Sequence, residues 1–165
     1  MKADRPYGRG LPTPSRLGDI FDRGASAIFE WEITAGESSP AMPMDFVNQQ
    51  DAVPFTTVDG STIRELLAHR NSSIRQQSLA EARLGPGCAT VPHHHAVTEE
   101  IYYILSGEAE MTLENETRPV RPGDAIAIPP GARHTIRNCG PTELVFLCTC
   151  APGYEHSDTF LAEPA

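Results

Sequence analysis

Between Gln77 and Cys150 the chain is interrupted every few residues by turn formers, and that punctuation narrows what it can fold into. Gly85-Pro86-Gly87, Ser106-Gly107, Glu114-Asn115-Glu116, Arg121-Pro122-Gly123-Asp124, Pro129-Pro130-Gly131 and Cys139-Gly140-Pro141 are the breaks. The short runs between them read as strands over Gln77–Leu84, Cys88–His95, Ile101–Leu105, Glu108–Leu113, Ala125–Ile128, His134–Asn138 and Leu144–Cys150. Evenly spaced short strands with tight turns predict an all-β sandwich or barrel.

The rest of the chain reads differently. Pro and Gly recur irregularly through residues 1–57, and Ala27–Thr34 alternates apolar with acidic residues like one half-buried strand. One strand cannot build its own core, so residues 1–57 are expected to form an arm packed on the body or on a partner subunit. Residues 58–165 form the barrel domain, ending in a tail from Ala151 folded over it. One helix is expected over Asp59–Asn71. Thr62 and Glu65 have capping-box spacing, Ile63, Leu66 and Leu67 form the apolar stripe, and His69 sits near the C-terminal end as a surface cap. At 165 residues the whole fits one domain with a core that needs no staples.

Chemistry concentrates in two segments. On a strand, His93 and His95 of Pro92-His93-His94-His95 point to one face, close enough to share an ion, while His94 points to the other. A carboxylate follows after a short turn, at Glu99 or Glu100. The second segment runs Gly123 to Asn138 as strand, Pro-Pro-Gly turn and strand, with His134 opening the last strand.

These segments resemble the cupin superfamily almost position for position. The first family motif is Gly, five residues, His-x-His, four residues, Glu, six residues, Gly, and Gly87, His93, His95, Glu100 and Gly107 supply it. The second is Gly, five residues, Pro-x-Gly, two residues, His, three residues, Asn, supplied by Gly123, Pro129, Gly131, His134 and Asn138. The resemblance implies a double-stranded β-helix, or jelly-roll barrel, holding one divalent transition-metal ion (Fe, Mn, Ni, Zn or Cu) on His93, His95, Glu100 and His134. The spacing to Gly107 favours Glu100 over Glu99.

Four protein ligands leave coordination positions open to substrate, water or dioxygen, which suits catalysis. If Glu100 faces inward, Tyr102 and Ile104 share its face, and Ala109, Met111 and Leu113 or their alternates line the barrel. Apolar and aromatic walls favour a small, largely apolar organic substrate. Tyr102 is the candidate catalytic proton or hydrogen-bond donor beside the metal. Cupins include dioxygenases, isomerases and cyclases, and the blocks around Thr98–Gly107 and Leu147–Tyr154 resemble small bacterial cupins among which polyketide cyclases occur. The alternative is a non-catalytic cupin that binds a small ligand.

Formal net charge is −9, from 13 Lys and Arg against 22 Asp and Glu, so no nucleic-acid partner is expected. No apolar run is long enough to span a bilayer, and the N-terminus lacks the apolar stretch of a secretory signal, so a cytoplasmic protein is expected. Cys88, Cys139, Cys148 and Cys150 are too few for a disulfide scaffold. Cys148 and Cys150 share one strand face, as metal thiolates or, on the usual reading, as small buried apolar groups. A homodimer is expected, the strand around Ile28–Ile33 covering a sheet edge.

Overall fold

A computed structural model describes residues 43–162 of the protein. The strand expected over Ala27–Thr34 lies outside the described residues. Within them the chain is almost entirely antiparallel strands. These are β1 (Phe55–Thr56), β2 (Thr62–Leu67), β3 (Ser78–Leu84), β4 (His93–His95), β5 (Glu99–Ser106), β6 (Ala109–Leu113), β7 (Glu116–Val120), β8 (Ala125–Ile128), β9 (His134–Asn138), β10 (Leu144–Ala151) and β11 (Thr159–Leu161). A 3-10 turn, His156–Asp158, precedes β11. They form a six-stranded sheet ordered β1-β2-β3-β10-β5-β8 and a five-stranded sheet ordered β11-β4-β9-β6-β7.

The two sheets enclose one core because their strands alternate. Along β10, Leu144, Phe146, Cys148 and Cys150 are buried and the residues between them are only partly so. Tyr102 and Ile104 of β5 meet them from the same sheet, and Met111 and Ile136 from the other. Phe146, Ile104, Ile136 and Leu144 are among the most deeply buried side chains. The motif residue Asn138 is fully buried and structural. Its Nδ2 donates to the Leu84 and Thr142 carbonyls at 2.9 and 2.8 Å, and its Oδ1 accepts from Gly140 N at 3.0 Å. Gly107 is fixed twice over: its φ is +91°, and a Cβ there would stand 2.8 Å from Leu144 Cα.

The helix expected over Asp59–Asn71 does not form. Thr62–Leu67 is instead strand β2, paired with β3 through Thr62↔Arg83 and Ile63↔Ala82. A three-residue apolar stripe offers a lone helix little to bury, whereas the β3 edge offers a ladder of hydrogen bonds. A register shift between Glu65 and Leu67 accounts for the apolar spacing that resembled a helical stripe. Glu65 binds Arg70 at 2.8 Å rather than closing a capping box, and His69 lies 3.3 Å from Glu155 with no helix end to cap.

Three further differences concern strands. β7 was not expected, because Glu116–Val120 is polar and contains Pro119; it is an edge strand, where proline is tolerated. The expected run Cys88–His95 keeps regular pairing only over His93–His95, with one isolated bridge at Ala89. The terminal segment does more than cover the body, since β11 extends the five-stranded sheet by pairing with β4.

Candidate metal centre

The centre lies between the sheets, near one end of the core. β4 contributes His93 and His95 from its inner face, each 3% exposed. β9 lies beside β4 with His134 the direct partner of His93, and their ring centroids are 4.2 Å apart. Glu100, near the start of β5, reaches across from the opposite sheet and is buried, whereas Glu99 faces outward and is exposed. His94 also turns outward and stacks on Phe160 at 5.3 Å. One ligand atom from each of His93, His95, Glu100 and His134 lies within 4.8 Å of the other three. The backbone reinforces this convergence, because Gly131 N in the second motif donates to His95 O in the first at 2.6 Å.

Hydrogen bonds behind the imidazoles set their tautomers. His93 Nδ1 meets the Val91 carbonyl at 2.7 Å, His134 Nδ1 the Ala132 carbonyl at 3.0 Å, and His95 Nδ1 the Asp158 carbonyl at 3.2 Å. A carbonyl can only accept, so each Nδ1 carries the proton and each Nε2 presents a lone pair inward. Second-partner bonds of this kind orient metal-ligating histidines.

Whether an ion fits can be read from what faces those lone pairs. Glu100 Oε2 stands 3.4 Å from His134 Nε2 and 3.5 Å from His95 Nε2. Among the described residues, Glu100 Oε2 and His134 Nε2 are the buried side-chain polar atoms left without a hydrogen-bond partner. Acceptors facing acceptors in a buried space are costly unless a cation lies between them. Three imidazole nitrogens and one carboxylate are a donor set suited to a divalent transition metal. The residues fit the ion.

In the metal-free protein, protons respond to the same geometry. Burial pushes the Glu100 carboxyl up, but the imidazoles of His134 and His95 outweigh it and hold its pKa at about 2. Burial pulls His95 down, but Glu100 outweighs it and the net shift is upward. His93 is lowered, first by burial and then by its neighbour His134. Cys148 and Cys150 are free and buried, and burial with the nearby Glu100 charge raises both thiols. Cys150 Sγ donates to Glu100 Oε1 at 3.5 Å, so it supports the carboxylate as a thiol.

The centre opens into a pocket whose lining includes His93, His95 and Glu100. Tyr102 and Phe146 form its aromatic wall, and Tyr102 sits edge-on to His134 with centroids 5.9 Å apart. Burial and the Glu100 charge push the Tyr102 phenol well up, so it stays protonated. Ala109 and Met111 pack in the core and do not line the pocket. The lining also includes the polar residues Thr57, Asp59, Ser61, Glu65 and Ser78. These polar residues add to the apolar and aromatic lining expected, and they come from the segment in which a helix over Asp59–Asn71 was expected and a hairpin stands instead, with Ser78 from the start of β3. Val58-Asp59-Gly60-Ser61 was the missed signal: Asp-Gly between two extended runs marks a tight hairpin.

Residues 80–150 match the family model described as a cupin domain. An uncharacterised protein of Methanocaldococcus jannaschii is 48% identical over 110 residues, 67% of this chain and 88% of its own length. The chain belongs to the cupin superfamily. Among solved cupin structures, one from Thermotoga maritima described as a predicted oxalate decarboxylase is 27% identical, with a TM-score of 0.59. The superposition covers 66% of this cupin and 99% of that chain. A Streptomyces cyaneus protein named polyketide synthase CurC is 32% identical over 84 residues, 51% of this chain and 54% of its own. Among the described residues of this cupin, no helix is long and apolar enough to cross a membrane.

Proposed function

We propose that this cupin is a metal-dependent enzyme acting on a small organic molecule, with chemistry of the dioxygenase, isomerase or cyclase type. The observation that carries the reading is the set of unsatisfied acceptors facing one another at the edge of an open pocket. His93, His95, Glu100 and His134 would hold one divalent transition ion. Bound there, it would act as a Lewis acid or oxygen-activating centre, chemistry that needs open coordination positions. Ile63, Phe146 and Cys148 seat an apolar part of the substrate and exclude water from it. Tyr102 keeps its proton and can donate to an oxygen that gains negative charge during the reaction. The named resemblance to a polyketide synthase protein favours an oxygen-rich organic substrate over a purely hydrocarbon one.

A homodimer belongs to the same proposal. Ile101 and Tyr103 on the outer face of β5 are 47% and 43% exposed, apolar surface suited to a second copy. A monomeric mass by light scattering contradicts that part alone. For the activity, protein purified without chelator is analysed for metal, then tested with candidate polyketide-like substrates for product and for oxygen uptake. Turnover that tracks metal occupancy supports the enzyme. Metal-loaded protein that binds such compounds without converting them points to a binding protein instead.

A further inference from the structure

The hairpin joining β1 to β2 carries a carboxylate into the pocket and holds it by one oxygen. Thr57 to Gly60 form the tight turn, with Gly60 N donating to Thr57 O at 3.0 Å and Gly60 at φ +87°. Asp59 is 7% exposed. Its Oδ1 accepts from Thr57 Oγ1, from Ser61 N at 3.2 Å and from Ser61 Oγ at 2.9 Å. Its Oδ2 accepts no hydrogen bond among the described residues and stands 4.0 Å from His93 Nε2, too far for one. That free oxygen belongs to a residue lining the pocket and is not sealed off by protein, so water supplies its donor until a ligand displaces the water, and the ligand must then supply one itself.

The placement is tied to the metal centre through one residue. Val91 N donates to the Asp59 carbonyl at 2.7 Å, and the Val91 carbonyl accepts from His93 Nδ1 at 2.7 Å. The hairpin that bears the carboxylate and the first histidine are therefore held in register by the same residue.

We propose that Asp59 Oδ2 accepts a hydrogen bond from a hydroxyl or N–H group of the molecule bound at the metal. The proposal rests on the metal-centre reading above and narrows its substrate class. The substrate carries an oxygen that binds the metal and, within a bond or two of it, a hydrogen-bond donor. Purely ether- or ketone-bearing analogues are selected against, because they leave Oδ2 unsatisfied.

The test uses two small chelators that differ in one donor, glycolate and methoxyacetate, titrated calorimetrically into zinc-loaded protein. Wild type is expected to bind glycolate ~tenfold or more tightly than methoxyacetate, the range of one hydrogen bond to a charged acceptor. In Asp59→Asn the three turn donors still require an oxygen, so the amide NH2 turns into the pocket and a donor replaces the acceptor. The preference should then fall at least fivefold with zinc stoichiometry unchanged, whereas a purely steric preference would persist in the variant. Ser61→Ala keeps the carboxylate but loosens it, and should weaken the preference without reversing it. That variant carries the test if Asp59→Asn does not fold. Zinc-loaded wild type that binds neither compound, or does not prefer glycolate, overturns the proposal, as does an unchanged preference in the variants. Loss of zinc from Asp59→Asn also overturns it, by making Asp59 a ligand. Wild type that takes up no zinc overturns the metal centre itself.

Discussion

Replacing Asp158 by alanine should weaken both the fold and the metal centre, although Asp158 is not one of the proposed ligands. Its Oδ1 accepts from Ala96 N and Val97 N, each at 3.1 Å, and its Oδ2 from Thr98 N at 2.9 Å and Val97 N at 3.3 Å. Those three amides form the link between β4, which bears His93 and His95, and β5, which bears Glu100. Hydrogen bonds to a charged acceptor contribute about 1.5–3 kcal/mol each when buried, but Asp158 is partly exposed and water replaces much of that. At roughly 0.5–1 kcal/mol per amide, the loss comes to about 2 kcal/mol for the alanine variant. For a domain of this size that lowers Tm by ~6–12 °C. Alanine keeps the backbone carbonyl that faces His95, but the loosened link carries His95 at one end and leads to Glu100 at the other, and loss of contacts that orient metal ligands typically lowers metal affinity about 10–100-fold.

Scanning calorimetry of metal-free protein and chelator competition for zinc measure the two effects separately. The pH dependence adds a sign. Burial pushes the Asp158 carboxyl up, but the Thr98, Val97 and Ala96 amides outweigh it, leaving the pKa below the usual 3.8. A depressed carboxylate stabilises the fold above its unfolded pKa, and the contribution is lost as pH falls through the folded value. The Tm gap between wild type and Asp158→Ala should therefore close as pH drops below about 3.8. An alanine variant with wild-type Tm and wild-type zinc affinity at neutral pH would refute the reasoning.

Tyr102→Phe should keep metal content and fold while lowering turnover by about 10²-fold or more, the scale of a lost general acid; unchanged turnover removes Tyr102 from the chemistry. Asn138→Ala should destabilise metal-free protein by about 3 kcal/mol by denaturant unfolding, since two carbonyls and an amide lose their partner; a change under about 1 kcal/mol would show that they find another. Metal occupancy should fall steeply below about pH 6, because protons compete for three imidazoles. His95, raised by Glu100, should protonate before His93, which burial lowers; full occupancy at pH 4 contradicts a histidine-dominated site.

Much of the centre was legible because its signals are local. Strand alternation separates His93 and His95 from His94, the motif spacing to Gly107 separates Glu100 from Glu99, and turn glycines such as Gly107 announce hairpins. What was not legible depends on distant chain. β2 looks helical over one turn, and only the edge of β3 decides against it. Asp59 reads as a helix start until its hairpin folds back against Val91. Backbone carbonyls of Val91, Ala132 and Asp158 select the histidine tautomers, and carbonyls have no side-chain identity to read. Two of those carbonyls lie two residues before the histidine they hold, a regularity that appears only once the strands are in place.

The central claim, one ion held by four named side chains, is tested most directly by anomalous diffraction from crystals grown with zinc. Data on either side of the zinc edge should give one strong peak per chain, with Nε2 of His93, His95 and His134 and a Glu100 carboxylate oxygen at about 2.0–2.2 Å. A peak at His94 or His69 instead, or none between the two sheets, would contradict it.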